Sequence, residues 1–219
     1  AAARGAYARA GHRRGEAEAL VTLASAHIAR SHSLAAAGEA QPSRARAPNF
    51  LAVKAAKEAQ AIALKLGDLG LQALAHFTAA RAHALNEKVE QALWAAAWAA
   101  STFEEANDRL SQAFAVFFAA QVHMELGGKG RKQLAKEHVD RALSVLQQCG
   151  AEVREQAMDD ILAYLTSTLQ DGQTPLLAGN LYGEASAVML ARHVRQAARS
   201  RVPAKSHVAE DDEAIAASD

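Results

Sequence analysis

Small and apolar residues recur at helical spacing in three stretches of the chain. In each stretch, three such residues lie at positions i, i+4 and i+7, which is one face of a helix, and a turn residue follows the last of them by eight positions. The three sets are Ala52, Ala56, Ala59 and Gly67; Ala92, Ala96, Ala99 and Asn107; and Ala135, Val139, Ala142 and Gly150. Successive sets begin about 40 residues apart. The pattern predicts a unit of two helices joined by a turn and repeated along the chain.

A second set of positions recurs when each copy is counted from its turn residue. The first of these positions holds a small residue in three of the four copies. Further along, the second residue of a pair is alanine in all four copies, and a third position holds histidine in three of them. The first position holds Ala17, Ala73, Ala113 and Gln156; the alanine of the pair is Ala24, Ala80, Ala120 and Ala163; the third position holds His27, His83, His123 and Thr166. Small residues on one face let two helices approach closely. The pattern therefore predicts tightly packed helix pairs.

The repeats resemble the tetratricopeptide repeat family, in its longer variant of the kind found in kinesin light chains and G-protein-signalling modulators. The stretch Gly11-His12-Arg13-Arg14-Gly15-Glu16-Ala17-Glu18-Ala19-Leu20 is similar to the opening of that variant's first helix, and the three recurring histidines stand where the family usually has tyrosine. The resemblance covers about residues 1–170. It implies an all-α fold: a right-handed α-solenoid of about four helix-turn-helix repeats with a C-terminal helix.

The same register divides the chain into segments. Residues 1–10 are interpreted as the end of an incomplete preceding repeat helix, and residues 11–170 as the repeats. The repeats span 11–66, 67–106 and 107–149, and 150–170 forms the first helix of the last. The first repeat carries an insertion at 31–48 that contains Pro42, Pro48 and Gly38, so a loop is expected there. A closing helix is expected over 171–202, followed by an acidic, disordered tail over 203–219.

Composition and charge narrow the possible functions. About a quarter of the residues are alanine, the best helix former, and the formal net charge is zero. Neutrality does not favour nucleic acid as a partner, and no apolar run is long enough to cross a membrane. We therefore expect a soluble protein, in the cytoplasm or inside an organelle after loss of a targeting segment.

The sequence offers no catalytic constellation, so we expect a protein that is not an enzyme and that uses no cofactor or metal. The single cysteine, Cys149, has no histidine or charge pattern nearby that would activate its thiol. The three recurring histidines are interpreted as packing residues between helices. A pH-sensitive role for them is the alternative, because histidine changes its charge near neutral pH.

The resemblance also implies a binding groove. In this family the first helix of each repeat lines a concave groove, and its groove-facing positions can be carried over to this chain. The resulting candidates for partner binding are Leu74, Phe77, Arg81, Phe114, Phe117 and Gln121, flanked by Glu18, Val21 and Ser25 in the first repeat and Ala157, Asp160 and Tyr164 in the last. An apolar groove suits a partner helix or extended peptide with spaced hydrophobic anchors. The alternative is that Phe114 and Phe117 belong to the core between repeats.

Both tryptophans of the chain form a second candidate surface. Trp94 and Trp98 lie at i and i+4, so they share a helix face. The matching positions in the neighbouring repeats hold charged residues, namely Lys54, Glu58, Glu137 and Arg141. A pair of aromatic side chains on a face that is otherwise charged indicates contact with a partner. Coverage by the 31–48 insertion is the alternative.

These observations favour a non-catalytic scaffold or accessory subunit that holds a protein partner. The alternative is a regulatory domain cut from a larger enzyme or motor-adaptor protein. A third hypothesis, an RNA-binding helical repeat, is disfavoured because the net charge is zero and the predicted groove is not basic. Aromatic residues also do not alternate with the basic ones.

Overall fold

The computed structural model describes residues 2–36, 42–151, 154–155, 157–159 and 161. In these ranges the fold is all-α, as predicted, and contains no strand. The helices are α1 (Ala2–Arg9), α2 (Arg13–Ala36), α3 (Pro42–Leu66), α4 (Leu69–Leu85), α5 (Val89–Glu105), α6 (Arg109–Leu126) and α7 (Lys129–Leu146). None of the helices within these ranges is both long and apolar enough to span a bilayer. The predicted closing helix, the acidic tail and most of 150–170 lie outside the described residues.

Consecutive helices pack in pairs. α2 packs on α3, α4 on α5 and α6 on α7, and the pairs join because α3 also packs on α4 and α5 on α6. Each pair falls within one of the predicted units 11–66, 67–106 and 107–149. Repeat-like packing of consecutive helices is therefore present in the described chain.

The turns between pairs have the backbone conformation that their residues favour. Gly11, Gly67 and Asn107 have φ angles of 68°, 65° and 57°, in the left-handed region. Glycine adopts this region freely and asparagine tolerates it, so these residues end one helix and redirect the chain. Gly150, the fourth turn residue in the sequence pattern, does not have a positive φ.

The residue after each of these three turns caps the next helix. Asp68 accepts a hydrogen bond from the backbone N–H of Leu71 at 3.0 Å, and Asp108 accepts one from Ser111 at 3.0 Å. The His12 ring does the same for Gly15 at 2.9 Å. Each bond satisfies one of the backbone donors that a helix leaves unpaired at its first turn. A left-handed turn residue followed by a cap is thus the recurring local signal of this fold.

The recurring alanines form the contacts between helices. Ala52, Ala56, Ala59, Ala92, Ala96, Ala99, Ala135 and Ala142 are all buried, as are Ala17, Ala73, Ala113, Ala24, Ala80 and Ala120. Larger side chains, such as Phe103 and Leu146, occupy the remaining interior. A buried alanine face allows helix axes to come closer than larger side chains would permit. The packing of the helix pairs therefore depends on the small size of these residues.

The predicted loop at 31–48 is wrong for most of its length. α2 continues through Ala36 and α3 begins at Pro42, so 31–36 and 42–48 are helical, and only 37–41 lie outside the described residues. The alanine-rich flanks favour helix, and proline is tolerated in a first turn, where its missing N–H is not needed. Pro48 lies within α3. Proline in the sequence therefore did not indicate a break here.

Ion pairs link the two N-terminal helices to the rest of the fold. Arg4 in α1 lies 2.7 Å from Glu58 in α3 and 3.7 Å from Glu16 in α2, and Arg14 lies 3.2 Å from Asp68. α1 itself buries no residue. Of the four arginines in the first 14 residues, Arg4, Arg13 and Arg14 therefore pair with carboxylates of the same fold.

A single added side chain tests the alanine contacts. We expect Ala96→Leu to lower the free energy of unfolding by about 1–3 kcal/mol, because three extra carbons enter a filled interface. Ala97→Leu is the matched control: Ala97 is exposed on the same helix, and leucine and alanine are both strong helix formers. Urea unfolding followed by circular dichroism measures both variants. Equal midpoints for the two would contradict the close-packed alanine interface.

Candidate docking surfaces

The two tryptophans lie on the outer face of α5. Trp94 is 60 % exposed and Trp98 is 51 % exposed, with ring centroids 5.7 Å apart. They point outward because the other side of α5 is the alanine face that packs into the interior. This exposure contradicts the alternative in which the 31–48 insertion covers the pair. Whether a partner binds there stays a prediction.

A histidine from the neighbouring helix completes an aromatic cluster, defined here as Trp94, Trp98 and His76. The His76 ring stacks on Trp98 with centroids 5.7 Å apart and planes at 18°, and it meets Trp94 edge-on at 6.4 Å. Rings at these separations are in contact with one another. The cluster therefore presents a continuous aromatic surface.

A third helix orients the histidine. Gln60 of α3 places its amide nitrogen 2.8 Å from Nδ1 of His76. An amide nitrogen only donates, so Nδ1 accepts and the ring proton lies on Nε2. Burial lowers the pKa of His76 below its ordinary value of 6.5, so the ring is neutral at neutral pH. The hydrogen bond and the stacking together link α3, α4 and α5 beneath the exposed indoles.

Residue periodicity did not identify Gln60 and His76 as part of this surface. A periodic pattern reports which residues share a face of one helix, whereas this contact joins three different helices. The nearest available signal was the repeat register, which places both side chains in adjacent units but sets no distance between them.

The six groove candidates lie in the interior. Leu74, Phe77, Arg81, Phe114, Phe117 and Gln121 are all buried. Phe77 contacts Phe118 edge-to-face with centroids 5.6 Å apart, which joins α4 to α6. The four apolar candidates belong to one continuous core. Burial agrees with the alternative that the phenylalanines are core residues, and a role in partner binding stays a prediction.

The three recurring histidines lie on three different helices. His27 is partly buried, whereas His83 and His123 are buried, and burial lowers the pKa of all three. His123 stacks on His138 of α7 with centroids 5.4 Å apart and planes at 13°. Among the described residues, no group of three or more histidine, cysteine or acidic side chains is placed to hold a metal ion. These histidines contribute to packing between helices in this structure.

The stacked histidine pair predicts a stability that depends on pH. Burial lowers the pKa of both rings from 6.5; Arg131 also lowers that of His123, and Arg141 and His123 also lower that of His138, while Glu90 and Glu137 act in the opposite direction. A ring whose pKa is lower in the folded state stabilises the fold above its unfolded value of 6.5. That stability is lost as the pH falls below 6.5 towards the folded pKa.

We therefore expect the melting temperature to drop between about pH 8 and about pH 5, and to drop less in His138→Gln, which removes one ring of the pair. Thermal melts by circular dichroism at both pH values check this. An identical drop in the variant and the parent would show that the pair contributes nothing to the pH dependence.

The exposure of the tryptophans predicts a small effect on folding. We expect Trp94→Ala with Trp98→Ala to change the free energy of unfolding by about 1 kcal/mol, the size of the ring contacts they lose. Phe103→Ala, on the same helix but fully buried, should cost about 3–5 kcal/mol. Chemical unfolding of the three proteins provides the comparison. A loss in the tryptophan double variant as large as in Phe103→Ala would mean that the indoles are structural.

Comparison with known proteins offers no further guide to these surfaces. The sequence matches no protein-family profile, and no curated protein is recognisably related to it. Hypotheses about its function therefore depend on the geometry described above.

Proposed function

We propose that this chain is a non-catalytic protein-interaction scaffold, built as a solenoid of tetratricopeptide-like repeats, that docks a partner protein through the aromatic cluster. The face of α4 and α6 that carries the groove candidates receives a helix or extended peptide of a partner. The repeat assignment is supported by the units of about 40 residues, the packing of consecutive helices and the recurrence of a left-handed turn followed by a cap.

The observation that carries the proposal is the exposure of Trp94 and Trp98. The fold keeps more than half of each indole in water, and it does so at positions where neighbouring units carry charge. Lys54, Glu137 and Arg141 are exposed at those positions and Glu58 is partly buried, so three of the four matching positions face solvent. Tryptophan is the side chain most enriched among residues that dominate binding energy. A pair of them on a solvent-facing position is suited to contact with another protein.

The cluster is large enough to support an association. An aromatic side chain buries about 150–250 Å², and burial of apolar area contributes about 25 cal/mol per Å². The area that remains open on the two indoles is therefore worth several kcal/mol before the entropic cost of association. The hydrogen bond from Gln60 to His76 fixes the ring beneath the indoles, so less side-chain freedom is lost on binding.

Charge and burial favour this class over its competitors. Arg4 and Arg14 are paired with carboxylates of the fold, which leaves less positive charge for a phosphate backbone. The histidines with lowered pKa lie at helix contacts, whereas a catalytic base needs a position that a substrate can reach. Both points support a binding role over nucleic-acid recognition or catalysis.

The double variant Trp94→Ala with Trp98→Ala tests the proposal. Tagged parent and variant proteins are used to capture binding partners from the cells of origin, and the captured chains are quantified by mass spectrometry. We expect at least one abundant partner of the parent to be lost by about tenfold or more in the variant, which corresponds to roughly 1.4 kcal/mol.

The matched control is Gln91→Ala with Ser101→Ala, because both residues are exposed on α5 and neither is aromatic. The control should retain the partner. Equal capture by all three proteins, or equal loss in the control and the tryptophan variant, would reject docking through the cluster.

A further inference from the structure

The aromatic cluster forms part of a furrow on the outer surface, between α3 and α5. α4 packs on both of these helices and forms the floor of the furrow. From Leu71 to His83, only Gln72 and His76 of α4 are partly exposed, and they lie one turn apart. The furrow is defined here by six residues, two on each of the three helices: Gln60, Leu64, Gln72, His76, Trp94 and Trp98.

The polar groups on the floor of the furrow already have partners in α3. Gln60 places its amide nitrogen 2.8 Å from Nδ1 of His76, and Gln72 donates to the carbonyl of Ala63 at 3.4 Å. The area that stays open is apolar: the two indoles, each more than half exposed, and the side chain of Leu64, which is 69 % exposed. Apolar area removed from water stabilises an association. A partner therefore needs apolar side chains that reach into the furrow.

The α3 edge of the furrow is basic. Lys54, Lys57 and Lys65 are exposed on this helix, and no exposed residue over 47–66 is acidic. Glu58 is partly buried and lies 2.7 Å from an arginine of α1. Within the part of the chain that the structure describes, none of the three lysines forms an ion pair with a carboxylate. Their charge is therefore available to a partner along this edge.

Two of these lysines lie next to the aromatic cluster. Lys57 precedes Gln60 by three residues and Lys54 precedes Lys57 by three, so the three side chains follow one another along the helix surface. Burial lowers the pKa of His83 in α4, and the charges of Lys57 and Lys88 lower it further, which places the Lys57 ammonium group on the side of α3 that faces α4. The basic edge therefore begins within about one helical turn of the cluster.

The carboxylates of α5 lie away from this edge. Glu104 pairs with Arg109 of α6 at 3.1 Å. Burial lowers the pKa of His123 in α6, and the charge of Glu90 acts in the opposite direction, so Glu90 also lies towards α6. Glu105 is the last residue of α5. The furrow is therefore asymmetric, with indoles on its α5 side and ammonium groups on its α3 side.

The furrow favours a helix over an extended segment as its occupant. An extended peptide leaves its backbone N–H and C=O groups in need of partners, and the described residues contain no strand whose edge could pair with it. A helix pairs its own backbone groups. It needs only apolar contacts and matching charge from the surface on which it lies.

We propose that the partner docked on the aromatic cluster is an acidic amphipathic helix, with an apolar stripe in the furrow and carboxylates on the edge that faces α3. This inference rests on the proposed function, because it names the chemistry of the partner for the same surface. α5 has 17 residues and is about 25 Å long, so a partner helix of similar length spans the furrow. Complementary charge along one edge fixes which side of the partner faces α3.

Two other occupants fit this surface less well. A second copy of the chain would bring another lysine edge to the interface and, from the exposed positions of α3, no carboxylate to meet it. An anionic bilayer would attract the lysines, but its broad surface does not follow a furrow between two helices. A helix with carboxylates on one edge matches both the apolar and the charged part of the surface.

Two synthetic helices of about 18 residues test the charge of the partner. Both have leucine in one stripe at helical spacing and alanine elsewhere, and one carries glutamate at the flanking positions where the other carries lysine. Isothermal titration calorimetry measures their binding to the full chain. We expect the glutamate helix to bind at least about tenfold more tightly than the lysine helix. Trp94→Ala with Trp98→Ala should weaken its binding by a similar factor.

Charge reversal on α3 is the decisive variant. Lys54→Glu with Lys57→Glu should weaken binding of the glutamate helix by at least about tenfold and make the lysine helix the tighter ligand, because attraction becomes repulsion. A reversed preference cannot arise from loss of the fold. The matched control is Lys132→Glu with Lys136→Glu, since both lysines are exposed on α7, which three helices separate from α3 along the chain. This control should keep the preference of the parent.

The other outcomes would overturn the proposal. Equal affinity of the parent for the two synthetic helices, or equal losses in the α3 variant and the α7 control, would reject an acidic partner. Binding of neither helix, together with co-sedimentation on phosphatidylserine–phosphatidylcholine vesicles that the tryptophan variant abolishes, would assign the furrow to a lipid surface. Self-association that the tryptophan variant abolishes, measured by analytical ultracentrifugation, would assign it to a second copy of the chain.

Partner capture separates failure of this inference from failure of the proposed function. A partner lost in Trp94→Ala with Trp98→Ala but retained in Lys54→Glu with Lys57→Glu would leave docking through the cluster intact and reject the acidic helix. Equal capture by the parent and the tryptophan variant would reject docking through the cluster itself, whatever the synthetic helices prefer.

Discussion

The approach of helices across alanine faces is the constraint on which the rest of this structure depends. Each buried alanine removes little apolar area from water, so the fold gains its stability from many small contacts and from dispersion at close range. Larger residues such as Phe103, Phe117 and Ile28 fill the spaces that alanine leaves. The packing of α4 against α5 also brings His76 next to the two indoles on the outer face of α5.

Packing is unevenly distributed along the chain. α1 buries no residue and is attached through ion pairs such as Arg4 with Glu58, which contribute little when their side chains are exposed. α6, in contrast, is surrounded along most of its length. Among the described helices, α1 therefore has the least buried packing to oppose local opening.

Much of the local architecture could be predicted from the sequence, because alanine spacing and left-handed turn residues are local signals. Gly67 with Asp68 and Asn107 with Asp108 mark helix boundaries at the predicted register. The helical flanks of the 31–48 insertion were missed, since proline and glycine indicated a loop where helix propensity prevailed. The contact of His76 with Trp98 and the burial of Arg81 and Gln121 could not be predicted, because both depend on what lies opposite in space.

The position of both tryptophans in the aromatic cluster also determines what the intrinsic fluorescence of this protein measures. Both tryptophans of the chain lie in the cluster, so its intrinsic tryptophan emission comes from one patch of surface. Because the indoles are already largely in water when the chain is folded, unfolding changes their solvation only slightly, and an emission-based melt would register little of the transition. The same property makes the emission a selective probe of this surface, since an added molecule that shifts it strongly must change the surroundings of Trp94 or Trp98.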